Sequence, residues 1–520
     1  MNFNFFTILF CFIAKTMPIC FAQPNPLPAI PTGTQFASPD NFSDTEVLWM
    51  HYKLARISIH RLLNSANEPS NLTLDALENL FSTALLIASQ SPELPYTDDL
   101  FSDLFELLTR FKQQQWQNNI SSFTEETPLL NQFKTGDLPQ KIRSYCSQNN
   151  AAVLDYFWGR KNLFLMIINH KGISLQSTPI SREFKTNFDF VRANLEFFDP
   201  QLNPEDFLQA IKRLSTALIP NSTAILAPPT GELIVIPDGL LFNLSFDILL
   251  PENLSLREET NFKTAPFLFK SHAISYLTHA NKIFAQYSIP EKNPESVLFA
   301  GFAPEFNTIK THCTSTERLN CNLDEVQSIA DQISGEVFLG EHASLENIRH
   351  IGSRAKILHI ATHACYQEGQ SGHQGLHLQD TSIDTKDWNT LALQGELLVL
   401  SACNTAKMNH SNPGLAHNFI SLGVPAVVAS LWTQEDCIAS RVMLGFYRAL
   451  FQGYRQNVAL QKAKLQFLRD ASKIYQHPYF WASYISLGVQ KPLVRKMACR
   501  SRLLFLSVLG SMAFFVARHT

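Results

Sequence analysis

Between Ser296 and Gly453 the chain alternates short apolar runs with helical spacings, and that alternation leaves few folds open. The runs SVLFAGFAP, GEVFLG, KILHIATHA, ELLVLSAC and AVVASLW are interleaved with DEVQSIADQI, SLENIRHIG and GLAHNFISLG, and IASRVMLGFYRALFQG follows the last of them. Neighbouring parallel strands need a crossover of about a dozen residues, and a helix of about ten supplies it. The pattern therefore predicts an α/β sandwich around a mostly parallel sheet. In such sheets the working groups gather beyond the carboxyl ends of the strands, so the residues that end strands are the ones to inspect.

The rest of the chain divides by texture. At 520 residues it is too long for one ordinary core. Residues 1–22 hold an apolar run, Phe5 to Ala14, and the small-residue pattern Cys20-Phe21-Ala22, which together resemble an export signal, although no Lys or Arg precedes the run. Residues 23–43 are rich in Pro, Ser, Thr and Asn and read as a linker. Residues 44–145 carry Leu, Ile and Phe three and four apart and predict a smaller all-α domain, either a plain bundle or degenerate tetratricopeptide-like repeats. From 146 to 490 the α/β pattern holds, opening with two strands around the turn Gly159-Arg160-Lys161-Asn162. A basic linker, 491–502, leads to the uncharged apolar stretch 503–517, a candidate C-terminal membrane anchor that is short for a span. The cations before that stretch favour a cytoplasmic body, whereas the N-terminal segment favours export. We expect an exported, membrane-associated protein, with a cytoplasmic body on a tail anchor as the alternative.

A net charge of −3 with Lys and Arg scattered excludes the basic stripe that nucleic-acid binding needs. Nine irregularly spaced cysteines form no disulfide framework, and Cys313 with Cys321 either closes a small loop or stays as free thiols.

Two strands end in chemically competent groups: KILHIATHA at His363 and ELLVLSAC at Cys403. A thiol attacks as its thiolate, and an imidazole beside it can take the proton. A buried strand cysteine is ordinarily a small hydrophobe. Here small polar residues, Thr362 on one strand and Ser401, Asn404 and Thr405 on the other, stand where a core would continue with Val or Leu. Cys365 lies past its strand end, and Ser401 shares the face of Cys403 but sits deeper. His359, His363, His373 and His377 suggest a metal site. On an extended strand, however, positions four apart are separated by roughly 13 Å, and no HExxH or CxxC accompanies them, so we expect no metal and no cofactor.

HIATHA and LSACNTA, followed by GLAHNFISLGVPAVVASLW, FYRALFQG, NVALQKAKLQFLRDA and HPYFWASYISLG, resemble the CHAT family of caspase-like domains often coupled to tetratricopeptide helices. The resemblance implies a caspase-like cysteine peptidase related to the separase clan. It would have His363 as general base, Cys403 as nucleophile, and the backbone N–H groups of Ala364 and Cys403 around the oxyanion. Members commonly carry Gly after the histidine; Ala364 still offers an N–H but makes the turn geometry less certain. Ser430 to Trp432 resembles the strand that lines a substrate peptide, which makes Trp432 either a substrate contact or a core aromatic. Asp436 would either sense a basic side chain of the substrate or cap the helix that follows. Two function classes result. One is an endopeptidase acting on a protein or peptide substrate and restrained by its helical domain or a regulatory protein; the other is a catalytically silent scaffold.

Overall fold

The computed structural model describes residues 71–90, 97–120 and 138–494, with gaps at 220–230, 252–260, 286–295, 307–317, 334, 367–373, 389–390, 392 and 409–413, and also residues 49, 52–53 and 56–57. In chain order the elements are α1 (Asn71–Gln90), α2 (Thr97–Ile120), α3 (Leu138–Asn149), β1 (Ala151–Trp158), β2 (Asn162–Asn169), β3 (Gly172–Pro179), α4 (Arg182–Glu196), α5 (Pro204–Leu218), β4 (Glu232–Ile236), β5 (Ala273–Tyr276) and β6 (Val297–Ala303). They continue with α6 (Asn322–Ala330), β7 (Glu336–Leu339), α7 (Leu345–Ile351), β8 (Ala355–Ala361), β9 (Ala364–Tyr366), β10 (Gln374–His377), β11 (Ser382–Asp384) and α8 (Thr385–Trp388). The last are β12 (Leu397–Ser401), α9 (Leu415–Ser421), β13 (Ala426–Ser430), α10 (Asp436–Phe451), α11 (Gln456–Asp470) and β14 (Tyr484–Gly488).

Eleven strands form one sheet in the order β3-β2-β1-β4-β5-β14-β13-β12-β8-β6-β7. Pairing is parallel except at β1–β2, β2–β3 and β13–β14. The antiparallel joint at β13–β14 makes two parallel blocks that run in opposite directions, and the carboxyl ends of β6, β8, β12 and β13 share one edge. This is the caspase-like sandwich with a mostly parallel sheet that the sequence leads one to expect. The sequence reading passes over several features: the β1–β2 pair continues into a third strand, β3, helix α4 follows it, β5 and β14 join the sheet, and the small sheet β11-β10-β9 begins immediately after His363.

Alternation along β1 explains its continuous burial. Ala152, Leu154 and Tyr156 pack towards Phe184, Phe188 and Leu214 of α4 and α5, whereas Ala151, Val153 and Phe157 pack with Phe81, Phe105 and Phe111 of α1 and α2. The N-terminal helices thus supply the apolar cover for one face of β1, β2 and β4. They are tied down by polar contacts as well. The Glu78 carboxylate accepts the backbone N–H groups of Arg160, Lys161 and Asn162, each at 3.0 Å. A Cβ on Gly159 would lie 2.9 Å from Glu78 Cδ, so this close approach requires glycine.

Deeper in the same contact, Lys112 of α2 meets Asp155 of β1 at 2.5 Å, with exposures of 3% and 0%. The ammonium also donates to the carbonyls of Ile236 and Pro237 at 3.2 and 3.3 Å. Burial pushes the Asp155 carboxyl up to about 6 in spite of the cation beside it. Among the described residues no helix is long and apolar enough to cross a membrane. The segments 1–22, 23–43 and 503–517, read above as signal, linker and anchor, lie outside the described residues.

Lys112→Met leaves Asp155 without its cation, and the chain then folds only with that carboxyl neutral. Its folded pKa then stands further above the unfolded value, so stability is highest at low pH and is lost as pH rises. The expected penalty in urea denaturation is about 3–5 kcal/mol at pH 8, shrinking by roughly 1.4 kcal/mol for each pH unit lowered towards about 6, where the wild-type carboxyl becomes neutral as well. A penalty independent of pH would contradict this account.

Candidate active site

Strands β8 and β12 are neighbours and run parallel, with Leu397 opposite Ile357 and Ser401 opposite Ala361. The pairing ends with the Thr362 N–H donating to the Ser401 carbonyl at 3.2 Å. His363 and Cys403 therefore stand at the same step, each two residues past the last matched pair, on backbones about 4.8 Å apart where they are paired. Both strands stop because the chain turns away there.

On the histidine side, the Thr362 hydroxyl donates to the His377 carbonyl at 2.5 Å and the His377 N–H donates to the His363 carbonyl at 3.0 Å. These two bonds hold the residues that leave β8 against the small second sheet. The His363 ring faces Phe306, with centroids 5.5 Å apart, and Phe306 is buried. His377 is buried and its pKa is lowered, first by burial and then by His363.

On the cysteine side, β12 leads into a turn in which Asn404 adopts φ 56°, a left-handed conformation that asparagine tolerates better than most residues. Asn404 Nδ2 donates to Thr433 Oγ1 at 3.0 Å. The Cys403 thiol is partly exposed and takes hydrogen bonds from the Gln434 backbone N–H and the Thr433 side chain. Burial still pushes its pKa above the ordinary thiol value, those two donors act against the rise, and Asp436 adds to it. Ser401 Oγ lies 3.2 Å from the Tyr484 hydroxyl, below the thiol in the strand.

The other residues singled out in the sequence are placed as follows. Trp432 is 1% exposed, and its indole N–H donates to the Tyr479 carbonyl at 3.0 Å, so in this conformation it offers no surface to a peptide. Asp436 is the first residue of α10 rather than its N-cap, and it makes no cap to that helix. Its carboxylate instead accepts the N–H groups of Asn320 and Cys321 at 2.7 and 2.6 Å. His359 Nε2 lies 3.0 Å from Glu325 Oε1 and its Nδ1 3.0 Å from the Tyr447 hydroxyl, inside the core. His377 Nδ1 lies 2.6 Å from Ser382 Oγ. Neither alternative for Cys321, a small loop with Cys313 or a free thiol, holds, because it is bonded to Cys437 across a Cα separation of 5.1 Å. Cys313 and His373 lie outside the described residues. Thr433, Gln434 and Phe306 complete the surroundings, and the sequence gives no sign of them beyond the polar turn TQED after β13.

A mostly parallel sandwich, with a histidine and a cysteine at the carboxyl ends of adjacent central strands, defines a caspase-like arrangement. The chain belongs to the CHAT family: the CHAT domain matches residues 208–489. That span leaves β1 to β3 and α4 outside the match although they share its sheet. No curated protein matches the chain. Among solved structures it is similar to the Arg-specific cysteine proteinase gingipain R, at 11% identity and a TM-score of 0.36, over 61% of this chain and 77% of that one. It is also similar to the separase–securin complex of Saccharomyces cerevisiae, at 11% identity and a TM-score of 0.46, over 86% of this chain and 38% of that one.

Replacing Asn404 with valine forces a β-branched residue into the left-handed region, at a cost of about 1–2 kcal/mol, and removes the tether to Thr433. Asn404→Gly removes the tether alone. Thermal unfolding is expected to fall clearly for valine and little for glycine, with Cys403 alkylation altered in both; equal melting points would refute the strained turn.

Proposed function

We propose that the protein is a caspase-like cysteine endopeptidase, with Cys403 as nucleophile and His363 as general base. The observation that carries this reading is the register of β8 on β12, which sets the two residues at equivalent steps beyond the Ala361–Ser401 pair. With its pKa raised, the thiol is protonated at neutral pH, so attack needs a base at the moment of reaction. His363 takes the Sγ proton as sulfur bonds the scissile carbonyl carbon. The carbonyl oxygen becomes an oxyanion held by the N–H groups of Ala364 and Cys403. His363 then protonates the leaving amine, and water hydrolyses the thioester.

Geometry supports the Ala364 donor. Bonded and non-bonded pairs alternate in an antiparallel ladder. His377 bonds back to His363, so the next pair, Ala364 with Leu376, is a non-bonded one whose N–H groups point out of the ladder.

The helices α1 to α3 are the element we assign to restraint of the enzyme or to reception of a regulatory protein, since they cover the sheet that carries the site. A catalytically silent scaffold is the second reading, and the raised thiol pKa favours it. The Cys321–Cys437 bond supports an oxidising compartment and hence export. In intact cells of the source, protease added from outside should reach the body; resistance until the inner membrane is breached would end the exported reading.

Cys403→Ala and His363→Ala should each abolish cleavage of protein substrates in a treated proteome, read as new peptide termini by mass spectrometry, while leaving the thermal melt in place. Undiminished proteolysis by purified Cys403→Ala would end the peptidase reading.

A further inference from the structure

The turn that covers Cys403 is fastened from outside the site. Residues 433–437 follow β13, provide the Thr433 and Gln434 donors to the thiol, and run into α10. At the start of α10, Cys437 is bonded to Cys321, the residue that precedes α6 and lies 116 positions earlier. Beside that bond the Asp436 carboxylate accepts the N–H groups of Asn320 and Cys321. The other end of the connection reaches the histidine strand. Asn322 Nδ2 donates to the carbonyls of Pro304 and Ala361 at 2.8 and 3.4 Å, and Glu325 of the same helix lies against His359 of β8.

We propose that the Cys321–Cys437 disulfide, with Asp436 beside it, is a positioning element of the site: it ties the turn over Cys403 to the helix that holds the end of the His363 strand. This rests on the reading that Cys403 is the reactive thiol. Both bonded cysteines are partly exposed, so a reductant reaches them. A dithiol reductant delivers two electrons and two protons to the S–S bond, leaves two thiols and is itself oxidised to its cyclic disulfide. Asp436 then holds α6 through two hydrogen bonds alone. The groups that face Cys403 are Thr433, Gln434 and Asp436 from the turn, Tyr479 from the segment leading into β14 and Tyr484 at its start, with His363 at the equivalent step beyond β8.

Loosening the turn withdraws the Gln434 N–H and the Thr433 hydroxyl, which favour the thiolate, and also Asp436, which opposes it. Loosening also uncovers the thiol, and burial is the largest influence on it, so the net expectation is a more acidic Cys403.

The test reads the pH dependence of iodoacetamide alkylation at Cys403, followed on its own peptide by mass spectrometry, in the full chain and in Cys321→Ala/Cys437→Ala. The expected result is a midpoint lowered by about one pH unit and a neutral-pH rate raised about tenfold. An unchanged midpoint in a variant with the wild-type near-ultraviolet circular dichroism would overturn the proposal. Should the variant not fold, the wild type is titrated with dithiothreitol, freed of it, and assayed for both the reduced fraction of Cys321 and Cys437 and the Cys403 rate. A rate that rises in step supports the clasp, and a rate indifferent to that fraction refutes it. Alkylation is measurable whether or not the chain cleaves peptides, so failure here is separable from failure of the peptidase reading.

Discussion

The register of β8 against β12 decides where His363 and Cys403 stand. Both strands are apolar on both faces, and in such a strand a slip of one residue exchanges one set of buried side chains for another at little hydrophobic cost. Polar contacts make the slip costly. His359, in the middle of β8, sits between Glu325 of α6 and Tyr447 of α10, and a displaced strand would leave Glu325 buried opposite an aliphatic side chain. At the strand end Asn322 reaches the Ala361 carbonyl, and at the turn the Thr362 hydroxyl reaches the His377 carbonyl. The alignment of His363 with Cys403 is thus fixed by a line of buried polar contacts running beneath the site, not by apolar packing alone.

The second half of the sheet has a similar logic with a different partner. Strands β1, β2 and β4 would expose a broad apolar face without α1 to α3, and the Lys112–Asp155 pair makes that cover specific in position as well as apolar. A single helix sliding along the face would separate a buried cation from a buried carboxylate. The helical segment is consequently part of the folding unit of the sheet. Any influence it has on the site passes through the sheet, in which β1 and β4 are separated from β12 by β5, β14 and β13, or through the stack of Trp116 of α2 on His417 of α9, with ring centroids 5.4 Å apart.

What was legible in the sequence follows from which forces are local. The strands and helices between Ser296 and Gly453 are readable because period and composition agree along each of them, and the strand ends at His363 and Cys403 are readable because polar residues interrupt the apolar runs. Contacts between distant segments leave no such mark. Cys321 and Cys437 are separated by 116 positions, and the nearer Cys313 is the more obvious partner on spacing alone. Asp436 stands where an N-cap is expected, yet the chain enters α10 one residue earlier and the carboxylate turns to another helix. Trp432 continues an apolar strand, and only its hydrogen bond to Tyr479 distinguishes a buried indole from a substrate platform. The short strands β9 to β11 escape because three- and four-residue runs carry too few positions to show a period.

The electrostatics of Cys403 follow from the same arrangement. A carboxylate near a thiol is a poor neighbour for a thiolate, and Asp436 is held near Cys403 by the clasp that holds the turn. The two N–H groups that Asp436 accepts are what make this tolerable. They draw its charge towards Asn320 and Cys321, and the Gln434 N–H and Thr433 hydroxyl face the sulfur instead. Burial still dominates and keeps the thiol neutral. A neutral thiol beside an imidazole does not store an ion pair in the resting state. It separates charge only when a carbonyl carbon is present to receive the sulfur, and the alignment of the two strand ends then matters more than the acidity of either group.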